Sequence, residues 1–71
     1  MTTKYIVNKD QTHNPGLHHE VHTKECAAKL KIQRFHDLSF CVDCHEALRR
    51  AKDIYTDADG CVLCCPECPK G

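Results

Sequence analysis

Apolar and polar positions along the chain mark out a few short elements. Lys4-Tyr5-Ile6-Val7-Asn8 is a β-prone run, and Asn8-Lys9-Asp10 then supplies turn chemistry, so a strand is expected over residues 4–8. Residues 10–19 are polar around the turn signal Asn14-Pro15-Gly16, and they read as a loop carrying His13, His18 and His19 in solvent. From Thr23 the pattern becomes helical: Thr23 is placed to cap a short helix, and Cys26, Ala27, Leu30 and Ile32 are available to pack inward. Asp37-Leu38-Ser39-Phe40-Cys41 alternates as a second strand. Asp43-Cys44-His45-Glu46 then matches a capping box in its acidic variant. The helix it opens carries Ala47, Leu48, Ala51 and Ile54/Tyr55 on an inward stripe, with Arg49, Arg50, Lys52 and Asp53 mostly outside it. Asp57-Ala58-Asp59-Gly60 reads as the turn that ends this helix, with Gly60 supplying a positive φ before Cys61.

No solenoid-length repeat and no low-complexity linker divides the sequence. One α+β domain over 1–71 is expected, with its core at residues 4–68, a short antiparallel sheet and one main helix. Composition adds a constraint. A chain of 71 residues with two Phe, two Tyr and no Trp buries too little apolar surface for packing alone to hold it comfortably, so a staple is needed.

Seven cysteines supply the material for one. Met1-Thr2-Thr3-Lys4-Tyr5-Ile6-Val7-Asn8 has no apolar run resembling a signal peptide, so a reducing cytoplasm is the expected setting, and clustered Cys and His there read as metal ligands rather than cystines. No stretch is apolar enough to cross a membrane. Ten Lys plus Arg balance ten Asp plus Glu, which removes the broad cationic footprint of non-specific nucleic-acid binding.

Four of the cysteines fall in Cys61-Val62-Leu63-Cys64-Cys65-Pro66-Glu67-Cys68, as two abutting Cys-x-x-Cys pairs. Two residues between thiolates let the chain turn so that both sulfurs approach one ion at about 2.3 Å. Cys61 and Cys64 are the favoured half of a zinc site, and the other half is expected from His22-Thr23-Lys24-Glu25-Cys26, whose imidazole and thiol would share one face of a helical turn. Several alternatives use other residues. Cys65 and Cys68 could replace Cys61 and Cys64, extend the site to a second ion, or form a redox dithiol near the chain end. Cys41 and Cys44 could be ligands opposite Cys61 and Cys64, although Cys41 also reads as a small buried residue. Cys41-Val42-Asp43-Cys44-His45 matches the attachment pattern of c-type haem, but the chain lacks the export signal and the apolar bulk to cover a porphyrin.

The order of these features resembles the small metal-binding domain of the Ada DNA-repair proteins: a strand, His22-x-x-x-Cys26, an apolar strand with Asp43-x-x-Glu46-Ala47-Leu48 opening a helix, then Cys61-x-x-Cys64. The likeness covers residues 4–65. It implies a zinc module whose ligands are His22, Cys26, Cys61 and Cys64. In the Ada domain the first ligand is a cysteine whose metal-activated thiolate accepts a methyl group from a DNA phosphotriester. Here that position is His22, which argues against methyl transfer and for a structural ion.

The expected function is therefore a non-enzymatic zinc module that binds another macromolecule as a monomer. The competing classes are a thiol enzyme, acting as alkyl acceptor or redox protein, and a metal-handling protein that uses the histidines and spare cysteines. Nucleic acid is the partner class the resemblance suggests, with Lys24, Lys29, Lys31, Arg34, Arg49, Arg50 and Lys52 as its basic surface. Interleaved acidic residues cancel that field within about 8–10 Å.

Overall fold

The computed structural model describes residues 2–13, 17–61, 65 and 68. In chain order the elements are strands β1 (Thr3–Asn8), β2 (Thr12–His13) and β3 (Leu17–Thr23), helix α1 (Lys24–Lys29), strand β4 (Phe35–Cys41), helix α2 (Cys44–Lys52) and strand β5 (Ala58–Gly60). The strands form one sheet in the order β2-β3-β1-β4, and β5 lies along β3. The fold is α+β with one main helix. The expected antiparallel pairing joins β1 to β4, and β5 adds a parallel pair with β3, His19 opposite Ala58 and Val21 opposite Gly60.

β1 is central, flanked antiparallel by β3 and β4. A central strand loses solvent on both faces, and Tyr5, Ile6, Val7 and Asn8 are accordingly all buried. Tyr5 and Val7 join Val21, Leu38, Cys41, Cys44, Ala47, Ala51, Ala58, Cys65 and Cys68 in one core cluster under α2. Ile6 alternates to the other face, where its register partner is His22. The largest fully buried side chains are Ile6, His22, Val7, Val21, Cys41 and Cys65. Such a core has little aliphatic bulk, and a histidine ranks second in it.

Both helix starts follow the sequence. Thr23 caps α1, its Oγ1 accepting from the Cys26 backbone N–H at 3.0 Å. Asp43 caps α2 by accepting from the Glu46 N–H at 3.0 Å, while Glu46 reaches back to accept from the Val42 N–H at 2.8 Å. Helix α1 closes in a Schellman motif, with the Lys31 N–H bonded to the Ala28 carbonyl and the Ile32 N–H to that of Ala27. Lys31 takes the left-handed position at φ 58°. The closure leaves Leu30 exposed rather than packed inward, and Ile54 beyond α2 is likewise exposed.

Alternation in β4 is interrupted by a bulge. Tyr5 pairs with Ser39 and Ile6 with Asp37, so Leu38 is the extra residue and turns into the core. Ser39 sits at φ 67°. The Asp37 carboxylate accepts from the Ser39 N–H at 2.7 Å and lies 3.2 Å from Lys4, and these two contacts hold its pKa below the ordinary carboxylate value. Arg50 ties the end of β4 to α2, donating to the carbonyls of Leu38 at 2.9 Å and Phe40 at 3.3 Å.

The polar stretch expected as a loop over 10–19 is corrected. Part of it is strand: His13 lies in β2, and His18 and His19 lie in β3. Neither β3 histidine is a solvated loop residue. His18 is buried, and His19 stacks on Tyr55 with ring centroids 3.6 Å apart and contacts Asp57 Oδ1 at 2.6 Å. That His19 contact, with a second hydrogen bond from Gln11 at 2.8 Å, lowers the pKa of Asp57. Tyr55 also meets His36 Nε2 through its hydroxyl at 3.1 Å, so this polar cluster joins β3, β4 and the segment leading into β5.

The turn expected over Asp57–Gly60 is instead the approach to β5 and the strand itself. Gly60 is required there for space and not for a left-handed backbone. A Cβ at that position would overlap the Cys68 carbonyl oxygen and lie 2.9 Å from its carbonyl carbon. Backbone, not a movable side chain, fills the space. Gly60→Ala is therefore expected to cost about 1–3 kcal/mol, the usual penalty of overpacking. A denaturant midpoint indistinguishable from that of the parent would contradict this packing of Cys68 on β5.

Candidate metal centre

Strand alternation puts His18, Glu20 and His22 on one face of β3, opposite His19 and Val21. The Glu20 carboxylate lies between the two imidazoles, with Oε2 3.3 Å from His18 Nε2 and Oε1 3.5 Å from His22 Nε2. This leaves His22 Nδ1 directed along the strand toward α1, where Cys26 Sγ lies 3.9 Å away. The His22–Cys26 spacing does not work through a shared helical face. Thr23 is extended at φ −69° and ψ 155°, so His22 belongs to the strand, and the sharp entry into α1 folds Cys26 back over it.

Cys61 arrives from the other side. Its backbone N–H donates to the Val21 carbonyl at 3.0 Å, continuing the β5–β3 pairing by one residue and setting Cys61 beside His22. One ligand atom from each of His22, Cys26 and Cys61 lies within 4.8 Å of the others. His22 and Cys61 are buried, and Cys26 is partly exposed.

The donor set and its spacing fit a tetrahedral ion. Bond lengths of about 2.3 Å to sulfur and 2.0–2.1 Å to nitrogen put tetrahedral N and S ligands about 3.6 Å apart and two sulfurs about 3.8 Å apart. The 3.9 Å between His22 Nδ1 and Cys26 Sγ requires only a few tenths of an ångström of closure. Glu20 stands where the carboxylate of a ligating histidine usually stands, behind the ring nitrogen that does not face the ion. The carboxylate is at ion-pair distance from Nε2 and makes no hydrogen bond to it, and its closing onto Nε2 would favour the tautomer with the proton there, leaving the Nδ1 lone pair for the metal.

Three of the four expected ligands, His22, Cys26 and Cys61, thus come together in one group that can hold a metal ion. Cys64, the fourth, lies outside the described residues. The other cysteines are placed differently. Cys41 is fully buried, as a small core residue, with its thiol toward the carbonyls of Leu38 at 3.7 Å and Ser39 at 3.8 Å. Burial pushes the Cys41 thiol pKa up, which further disfavours it as a thiolate ligand. Cys44 and Cys68 are joined by a disulfide, so the expectation of metal ligands rather than cystines is corrected for this pair. An accessible Cys65/Cys68 dithiol is corrected too. Both residues are buried, and Cys65 Sγ lies 3.5 Å from the Val21 carbonyl oxygen.

Glu20 escaped the reading of the sequence, which puts His18 in a solvated loop instead of in β3. The signal was the two-residue period of His18-x-Glu20-x-His22, visible only once the segment is recognised as a strand.

Glu20→Gln is expected to weaken metal binding about 10–100-fold while leaving the fold intact, the usual effect of removing the partner of a ligating histidine. His22→Ala, Cys26→Ser and Cys61→Ser are each expected to weaken it further, and Cys41→Ser to leave it unchanged. Competition titration against a chromophoric chelator measures all five. Unchanged affinity in Glu20→Gln would remove the role given to that carboxylate.

Comparison with protein-family models, with curated proteins and with solved structures finds no match to this chain, so function is argued from the geometry of the site itself.

Proposed function

We propose that the protein is a non-enzymatic zinc module, in which His22, Cys26, Cys61 and Cys64 close on one structural ion and the stabilised surface binds another macromolecule. The observation that carries this reading is the convergence of His22, Cys26 and Cys61 within 4.8 Å. Zinc follows from the ligands: thiolate and imidazole in a small set suit a borderline-soft ion with no geometric demand beyond four-coordination. Cys64 follows Cys61 at the spacing of a metal-binding knuckle, and as fourth ligand it would leave no position for substrate or water. A closed site of this kind holds structure together rather than performing hydrolysis.

The ion's structural task is clear from what it would join. His22 lies one residue before the end of β3, Cys26 lies in α1 and Cys61 follows β5, three pieces that otherwise meet over a face with few aliphatic side chains. Surface features favour a macromolecular partner over a small ligand. Phe40 and Val42 are 59% and 64% exposed at the end of β4, the strand at one side of the sheet order, and Lys4 lies over the Phe40 ring. Among the described residues no helix is long and apolar enough to cross a membrane. Reduced ligand cysteines suit the cytoplasm, where the Cys44–Cys68 disulfide would be the exception.

Under non-reducing conditions one zinc is expected to co-purify per chain. Chelation is expected to abolish the cooperative unfolding transition, because structural zinc supplies folding energy of about 10–16 kcal/mol in small modules. Native mass spectrometry gives the stoichiometry, and circular dichroism with and without chelator gives the fold. Metal-free protein that unfolds at the same denaturant concentration as the metal-loaded form would overturn the reading.

A further inference from the structure

A second group of ligand types lies at the start of α2, away from His22. Cys44 is the first residue of that helix, His45 follows it, and Cys68 approaches from the C-terminal segment. One ligand atom from each of the three lies within 4.8 Å of the other two. Cys44 and Cys68 are spent on each other as a disulfide, and both are buried. His45 is exposed beside them, and none of the interactions among the described residues engages its ring.

We propose that this disulfide is the closed state of a second, reduction-gated metal site, formed by Cys44, His45 and Cys68 when a dithiol reductant opens the bond. The chemistry balances in two steps. The reductant's thiolate attacks one sulfur of the disulfide and its second thiol resolves the mixed disulfide, so the reductant leaves as its own disulfide and Cys44 and Cys68 are left as thiols. A divalent ion such as zinc then displaces the two thiol protons and takes two thiolates and one neutral imidazole.

Three features of the fold support this. The capping box fixes the start of α2, so Cys44 and His45 form a pre-positioned pair; Asp43 and Glu46, the carboxylates that flank this pair in sequence, are occupied as caps. Cys68 is held near by its packing on Gly60 after the bond is broken, and the two sulfurs need only separate to about 3.8 Å to share an ion. The exposed imidazole gives the ion an entry path that two buried sulfurs alone would not. Gly60 precedes Cys61 of the first group and packs on Cys68 of the second, so oxidation state at one would be felt at the other through one backbone contact.

The test is native mass spectrometry and zinc competition titration on the full chain, before and after treatment with a dithiol reductant. The quantity that matters is the increment on reduction, expected to be one zinc. If the first site were misassigned, the count would go from zero to one instead of from one to two, so the two readings fail separately. His45→Ala is expected to weaken the added ion at least tenfold while leaving any zinc bound before reduction unchanged. The Cys44→Ser/Cys68→Ser double variant, which lacks the cross-link in either state, is expected to show no increment, and circular dichroism reports whether the fold survives without the bond. No increment in the parent, whether reduction leaves the chain folded or unfolds it, overturns the proposal. An added ion bound as tightly in His45→Ala as in the parent, or any increment in the double variant, overturns it as well.

Discussion

Burial of imidazole in place of hydrocarbon on one face of the sheet is the constraint on which the rest depends. On the α2 side the sheet packs in the ordinary way, with Tyr5, Val7, Val21 and Leu38 against Ala47 and Ala51. On the α1 side Ile6 and Ala27 are buried with the polar or ligand-type residues Asn8, His18, His22 and Cys61. Histidine in such a place costs desolvation unless its ring nitrogens are satisfied. Glu20 lies against both rings at one nitrogen each, and the remaining Nδ1 of His22 faces Cys26. A metal held there would turn a polar liability into the link between β3, α1 and the segment after β5.

The C-terminal segment shows the same economy. β5 is three residues long and, among the described residues, pairs only with β3, which is little to hold the segment that follows it. It is secured by side-chain chemistry on both flanks: the His19–Asp57 contact and the Tyr55 stack before it, and Cys61, Cys65 and Cys68 after it. The Cys44–Cys68 bond closes the loop from the start of α2 to the chain end, restricting the unfolded chain and holding Cys68 over Gly60.

How much of this is legible in the sequence depends on whether the signal is local. β1, both helix caps and α2 are readable because a β-prone run, Thr23 and the Asp43–Glu46 box act within a few residues of themselves. β3 is hidden because a strand that buries His18 and His22 has no apolar alternation, so polar composition reads as loop. Alternation puts Leu38 and Phe40 on one face, yet only Leu38 is buried and Phe40 is exposed, because the bulge at Leu38 shifts the register by one residue, which no period-two pattern encodes. Within the candidate site, ligand types and spacings identify His22, Cys26 and Cys61, yet Glu20 is visible only in the folded strand. The partner of Cys44 is not legible at all, since pairing of distant cysteines is decided by which backbones the fold brings together.

Metal held by His22, Cys26 and Cys61 is the central claim, and X-ray absorption at the zinc edge of the loaded, non-reduced protein tests it most directly. The expected first shell mixes sulfur at about 2.3 Å with imidazole nitrogen at about 2.0–2.1 Å in four-coordination, and it loses its imidazole component in His22→Ala. A shell of six oxygens, or one unchanged by His22→Ala, would contradict the claim.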